Sequence, residues 1–344
     1  MHYFVPGNIF WANTQNIFML IGLGIFTFIS GLLVDLNYSV RIKSFSDVLC
    51  FYRKRAVRIL PLNWVSIVLS VILTLTFVPF LTPHLAIYYP VSNLNFLGLL
   101  GQSIGTQLLV QNSDSFNWFV GLIVVCYFIY PLVIRFSRNV FQTITLSLFP
   151  FLVLISLRLM LGLIDDRLLI FYMIFVGGVL VNRLNQSWNS YSHRKTVLFL
   201  VVTAVSSFVF YWRGGVDYYS RPLFNSPFVN FVIYEIVILD FAAVSGCMFL
   251  LLLLNRNRIR IKLEKYRSII TFVAVSSYCV YLFHFIFFTI GAGLFDLFKL
   301  PPIFSEILFY FLIIPLTFIL SYYIQTADRV FLKKARTKLI STRI

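Results

Sequence analysis

The stretch Phe51–Trp64, FYRKRAVRILPLNW, decides the fold, because it joins a knot of positive charge to a long apolar run. Arg53, Lys54, Arg55 and Arg58 stand directly ahead of Val65–Leu81, VSIVLSVILTLTFVPFL, which carries no charged residue. About 20 apolar residues in helical form cross the hydrocarbon core of a bilayer, and a basic flank holds that end on the cytoplasmic side. The pattern predicts a membrane-spanning helix over about residues 59–81, with Pro61 in its first turn, where a missing N–H is not needed. Arg55 and Arg58 are three apart and share one helical face. Such a pair can grip phosphates through forked, charge-assisted hydrogen bonds. The alternative is a loop anchor that touches anionic lipid head groups.

The whole chain agrees with a membrane setting. Of its 344 residues, 60% are hydrophobic and only 12% charged, with a mean hydropathy of +0.89. A soluble domain carries about 25% charged residues. Runs that stay apolar without alternation exclude barrel strands and leave helices. The predicted fold is all-α, a polytopic transmembrane bundle. The net charge of +16 reads as an orientation signal rather than as a nucleic-acid surface. Cys50, Cys126, Cys247 and Cys279 are scattered and form neither a disulfide framework nor a metal spacing.

Apolar segments fall at about 16–36, 59–81, 117–136, 143–163, 168–182, 196–212, 228–254, 268–291 and 305–325, which makes nine full spans. The long connection 82–116 has no Lys or Arg and is partly apolar, as a re-entrant segment would be. Loops 41–58, 135–138, 183–195, 256–267 and 329–343 hold 23 Lys and Arg, against 4 in the intervening loops. The positive-inside rule puts the first set in the cytoplasm, together with the basic tail 326–344. On this topology His2–Val5 are the last turn of a helix rising from the cytoplasm, whose beginning lies upstream of Met1. The expectation is a partial first helix followed by nine spans, in a single membrane domain over 1–344.

Ionisable groups within a bilayer are costly and draw attention as functional sites. His284, Arg158, Glu235, Asp240 and His2 all fall at mid-membrane or in the outer half on this topology, and together suggest a polar cavity open to the outside. Each also has a plainer reading. Arg158 and Glu235 would pair and lock helices, and His284 would bond a neighbouring carbonyl. Asp35 and Asp328 lie near the cytoplasmic boundary, within reach of the basic loops.

Four pieces of the chain resemble the acyltransferase family 3 membrane proteins. FTFISGLLV at 26–34 is similar to an aromatic-rich stretch ending in Ser-Gly. The opening stretch matches Arg-x-x-Arg-x-x-Pro-x-x-Trp through Arg55, Arg58, Pro61 and Trp64. WFVGLIVVCYFIYP at 118–131 resembles a Trp-to-Tyr-Pro signature, and SYCVYLFHF at 277–285 a Ser-Tyr-x-x-Tyr-Leu-x-His motif. Many members carry a Glu where this chain has Ile123, a departure that bears on substrate class. The family's first helix has an Arg ahead of a His; His2 resembles that His, and the Arg would precede Met1.

The resemblance implies ten spans with both termini cytoplasmic, in the plasma membrane. It implies transfer of an acyl group, usually acetyl, from acyl-CoA to a hydroxyl of an envelope glycan or related molecule. No bound cofactor is implied, since acetyl-CoA is a donor substrate. Arg55 and Arg58 would dock its phosphates, and Ser30 would touch its arm or the developing oxyanion. His2 would be the general base and His284 would orient the acceptor. Trp118, Arg158, Glu235 and Asp240 would line the cavity. Other classes remain: a transporter or flippase for an envelope precursor, and an inactive truncated member.

Overall fold

A computed structural model describes residues 9–76, 96–109, 117–184, 193–212, 238–254 and 256–341. Among them, all regular structure is helical. In chain order the α-helices are α1 (Ile9–Tyr38), α2 (Phe45–Thr76), α3 (Phe96–Ile104), α4 (Trp118–Phe136), α5 (Val140–Leu161) and α6 (Asp166–Leu184). They continue with α7 (His193–Trp212), α8 (Leu239–Leu254), α9 (Asn257–Lys265), α10 (Arg267–Leu297), α11 (Pro302–Leu308) and α12 (Ile314–Ser341). A 3-10 turn covers Gln107–Leu109, and a π turn, Phe309–Ile313, joins α11 to α12.

Six helical runs among the described residues are long and apolar enough to cross a membrane: α2, α4, α5, α6, α10 and Ile303–Phe331. Two shorter apolar helices, Gly22–Tyr38 and Phe241–Leu254, accompany them. The short segment at 168–182 belongs to a full 19-residue helix, α6.

The outward faces are apolar, as lipid requires. On α2, Val65, Val68, Leu69, Ile72 and Leu75 are exposed, while Asn63, Ser66, Ser70 and Thr74 are buried. A surface helix of a water-soluble protein has the opposite arrangement.

Two boundaries differ from the sequence expectation. The basic cluster is not in a loop, because α2 starts at Phe45 and carries it. Ser44 and Asp47 explain the early start. The Asp47 carboxylate accepts from the Ser44 N–H at 2.8 Å and the Asp47 N–H donates back to the Ser44 hydroxyl at 3.2 Å. This reciprocal cap satisfies N–H groups that a helix start leaves bare. Pro61 is therefore in the helix interior, not its first turn, and the Val57 carbonyl loses its helical donor. At the other end, α12 carries the helix through the basic tail to Ser341.

The helices form two compact units. The first contains α1, α4 from Leu122 onward, and α5–α8. Its tightest contact is between α1 and α6. A Cβ on Gly31 would collide with the Phe175 carbonyl, and one on Gly178 with the Phe28 carbonyl. Glycine at both crossings lets the two backbones touch, the usual device for helix association in lipid. The Gly of the FTFISGLLV stretch thus has a packing role.

The buried carboxylate of this unit is paired. Asp35, fully buried at the end of α1, accepts from Asn182 at 2.7 Å and Tyr130 at 3.1 Å, and faces Arg183 Nε at 3.5 Å. Arg183 also donates to the hydroxyls of Ser137 at 3.0 Å and Thr143 at 2.7 Å. The expected pairing of Asp35 with a basic loop is met by a residue at the end of α6. Burial makes each partner dependent on the other, since a single buried charge left alone is strongly unfavourable.

Two outcomes follow for the purified protein in detergent. Gly31→Ala or Gly178→Ala lowers stability by about 1–3 kcal/mol through overpacking against rigid backbone. Gly22→Ala, whose Cβ meets nothing within 4 Å, leaves the thermal midpoint in place. Asp35→Ala costs about 3–5 kcal/mol because Arg183 is stranded, and thermal unfolding reads the loss.

Candidate functional site

The second unit contains α2 from Lys54 onward, α3, Gln107, the start of α4 up to Gly121, and α10–α12. It holds the basic stretch from Lys54 onward, the first four residues of the 118–131 stretch and the whole of SYCVYLFHF. Arg55 and Arg58 stand one turn apart on α2, Arg55 half-buried and Arg58 exposed. Just after them, the Tyr278 hydroxyl from α10 donates to the Ile59 carbonyl at 2.8 Å. This bond falls in the turn that Pro61 loosens, where neighbouring side chains commonly take over backbone groups in membrane helices. It ties the SYCVYLFHF motif to the basic stretch.

Two further residues of the opening stretch cap α3. Asn63 Nδ2 donates to the Gln102 carbonyl and Trp64 Nε1 to the Ser103 carbonyl, each at 2.9 Å. Both carbonyls are in the last turn of α3, where helical donors have run out. Gly105 (φ 79°) then turns the chain, and the Thr106 N–H closes on the Gly101 carbonyl at 2.8 Å. That geometry is a left-handed cap suited to glycine. Trp64, read from sequence as a motif residue, is thus a helix cap here.

The same Asn63 reaches the start of α4. Its Oδ1 accepts from Asn117 Nδ2 at 2.8 Å, and the Asn117 carbonyl accepts from Gln107 Nε2 at 2.9 Å. Gly121 makes room for this, since a Cβ there would stand 2.7 Å from the Gln107 amide carbon. In the first turn of α4, the Phe119 N–H donates to the Tyr281 hydroxyl at 2.8 Å. Tyr281 packs edge-on to Phe119 with ring centroids 5.3 Å apart.

His284 completes the arrangement. Its Nδ1 is 2.6 Å from the Tyr281 carbonyl. A carbonyl only accepts, so Nδ1 carries the proton and Nε2 is the basic nitrogen. The ring packs beside Tyr281 and Phe288, with centroids at 5.9 and 5.6 Å. The plainer reading, a bond to a neighbouring carbonyl, is the one observed, and it also sets the tautomer a base needs. Trp118, at the first position of α4, is half-buried with its ring edge-on to Phe119 at 5.9 Å.

The remaining candidates fall elsewhere. Ser30 is in the first unit, with its hydroxyl 2.7 Å from the Tyr127 hydroxyl. Arg158 is in the last turn of α5. It forms a forked pair with Asp166 at the start of α6, at 2.6 and 3.2 Å. Helix locking was the plainer expectation for it, and its partner is Asp166 across the Gly162 turn. Asp240 belongs to α8, but its side chain lies outside the described residues, as do His2 and Glu235.

Sequence reasoning passed over Asn63, Asn117, Gln102 and Gln107, and took Tyr278 and Tyr281 only as members of the family motif. The only signal was an uncharged amide inside or beside an apolar run, which a charge-based search does not detect. Replacing Asn63 with Leu leaves the Gln102 carbonyl and the Asn117 amide unpaired. The expected destabilisation is about 1–3 kcal/mol for each group stranded, measured by thermal unfolding against a Ser66→Ala control.

Comparison with known proteins gives one positive result. No curated protein matches the chain, and no solved structure does. A family profile described as an acyltransferase domain matches residues 1–326, which takes in all four motifs and both units up to the middle of α12. The chain belongs to the acyltransferase family 3 membrane proteins.

Proposed function

We propose that this protein is a membrane O-acyltransferase that moves an acyl group, acetyl in the simplest case, from acyl-CoA to a hydroxyl of an envelope glycan or related molecule. The observation that carries the reading is the bond between the basic stretch of α2 and the SYCVYLFHF motif of α10 in one unit, with paired guanidinium groups on α2 and an oriented imidazole on α10. It is supported by the family membership and by the inverted polarity of α2.

In this reading the phosphates of acyl-CoA dock on Arg55 and Arg58 from the cytoplasm. The neutral pantetheine arm brings the thioester toward the imidazole groups. An acceptor hydroxyl gives its proton to a neutral histidine as its oxygen attacks the thioester carbonyl. The carbon–sulfur bond then breaks, the ester forms, and the histidine returns the proton to the CoA thiolate. His2 is assigned as base, and His284 orients the acceptor or polarises the carbonyl. Ser30 would meet the arm or the oxyanion. Trp118, Arg158, Glu235 and Asp240 are assigned to the substrate cavity. The topology in this reading is a multi-span helical core of the ten-span kind. The segment containing α3 is re-entrant from the outside, and the C-terminus faces the cytoplasm at the plasma membrane.

Two measurements test this. Arg55→Ala and Arg58→Ala each weaken acyl-CoA binding to membranes about tenfold or more, as loss of a charge-assisted contact requires, and flatten its dependence on salt. Unchanged binding removes the phosphate dock. His284→Ala lowers the yield of acylated glycan from labelled acetyl-CoA about 100-fold or more while leaving acyl-CoA binding intact. Wild-type turnover in that variant removes His284 from the reaction.

A further inference from the structure

Ser30 is held differently from the hydroxyls around it. A Ser or Thr inside a helix commonly gives its proton to the carbonyl four residues back. Thr27, on the same helix, does so to Leu23 at 2.8 Å, and Ser156, Thr203 and Thr317 do the same on theirs. Ser30 is turned instead to another helix. Among the described residues its one hydrogen bond is to the Tyr127 hydroxyl of α4, at 2.7 Å. Both residues are half-buried, so the pair is not sealed inside the protein. Tyr127 belongs to the 118–131 stretch and Ser30 to FTFISGLLV, and the bond joins these two family motifs within the first unit.

The packing fixes the pair. The Tyr127 ring is edge-on to Phe51 and to Phe175, with centroids 6.1 Å away in each case, and both phenylalanines are buried. Phe175 is also the residue whose carbonyl a Cβ on Gly31 would strike. The glycine that lets α1 touch α6 thus brings Ser30 to the place where Phe175 steadies the phenol.

Acidity gives the bond its direction. A phenol is a stronger acid than an alkyl hydroxyl, so Tyr127 donates and Ser30 Oγ accepts. Ser30 keeps its own proton for a further acceptor, and accepting from a phenol makes that proton the better donor. A neutral donor of this kind suits an oxygen that gains negative charge without taking the proton, such as a thioester carbonyl oxygen under attack.

We infer that Tyr127 is a positioning residue, which holds the Ser30 hydroxyl off its own helix so that its proton faces the thioester carbonyl oxygen. This role rests on the acyltransferase reading, which supplies the part played by Ser30. As the acceptor oxygen adds to the carbonyl carbon, the hydrogen bond from Ser30 strengthens. When the carbon–sulfur bond breaks and the carbonyl re-forms, it weakens again, and no proton leaves either hydroxyl. Without the phenol, Ser30 falls back on the Phe26 carbonyl and the donor is lost.

Membranes carrying the full chain are given labelled acetyl-CoA over a range of concentrations, and free CoA and labelled glycan are both counted. Tyr127→Phe keeps the ring and its packing. It lowers kcat about tenfold or more and leaves KM for acetyl-CoA in place, because the lost contact acts in the transition state. Ser30→Ala lowers kcat about 100-fold. The double variant is no slower than Ser30→Ala, since the two residues act as a unit. Tyr130→Phe, which loses its bond to Asp35, is the packing control: its thermal midpoint falls and its kcat holds.

Equal kcat in the wild type and Tyr127→Phe overturns the assignment and leaves the acyltransferase reading standing. So does a change confined to KM, a double variant whose losses multiply, or an equal kcat loss in Tyr130→Phe. A wild type that releases no CoA and labels no glycan sinks the acyltransferase reading, and the role of Tyr127 with it.

Discussion

Asn63 spends its one amide at two helix ends. Its N–H closes the last turn of α3, and its oxygen holds Asn117 at the start of α4. In water such an arrangement would be optional, because solvent could satisfy both ends. Within a membrane domain every backbone group near a chain reversal must find a partner inside the protein. The second unit is arranged around that requirement. Asn63 is buried on the polar face of α2, Trp64 caps the next carbonyl beside it, and the opposite face of α2 is left to apolar contact.

The same rule accounts for how charge is handled in the first unit. Asp35 is wholly buried, yet it has an amide, a phenol and a guanidinium around it. Arg158 and Asp166 form a fork across the turn between α5 and α6, and Arg167 turns back on Asp165 at 2.6 Å. The Asp35 and Arg158 contacts lock helices that the lipid itself has no tendency to press together. The glycines at 31 and 178 complete the lock by allowing backbone contact. What functional motifs share with structural ones is clear at Ser30–Gly31: the glycine packs α1 on α6, and the adjoining serine meets Tyr127.

Pro61 and Pro131 show how the basic and aromatic stretches use helix breaks. Each proline removes an N–H from the interior of a helix. Near Pro61 a tyrosine hydroxyl from α10 takes up the Ile59 carbonyl, and near Pro131 the Tyr52 hydroxyl takes up the Phe128 carbonyl at 2.7 Å. Sequence places the prolines, but the tyrosines that bond the nearby Ile59 and Phe128 carbonyls come from 219 and 76 residues away. Such long-range pairs leave no mark in local pattern.

The sequence by itself determined the membrane class, the helical secondary structure, most of the apolar segments and the family, because hydropathy and charge act over windows of a few turns and survive without tertiary context. It also determined that Arg55 and Arg58 share a face, since that depends only on helical spacing. Where α2 begins was decided by the Ser44–Asp47 cap, a short motif outweighed in the reading by the apolar run that follows. The partners of Asp35 and Arg158, the tautomer of His284 and the amide cluster around Asn63 were decided by tertiary structure alone. Each depends on which uncharged group another helix brings within about 3 Å, and neutral Asn, Gln and Tyr give no long-range signal that a linear sequence can display.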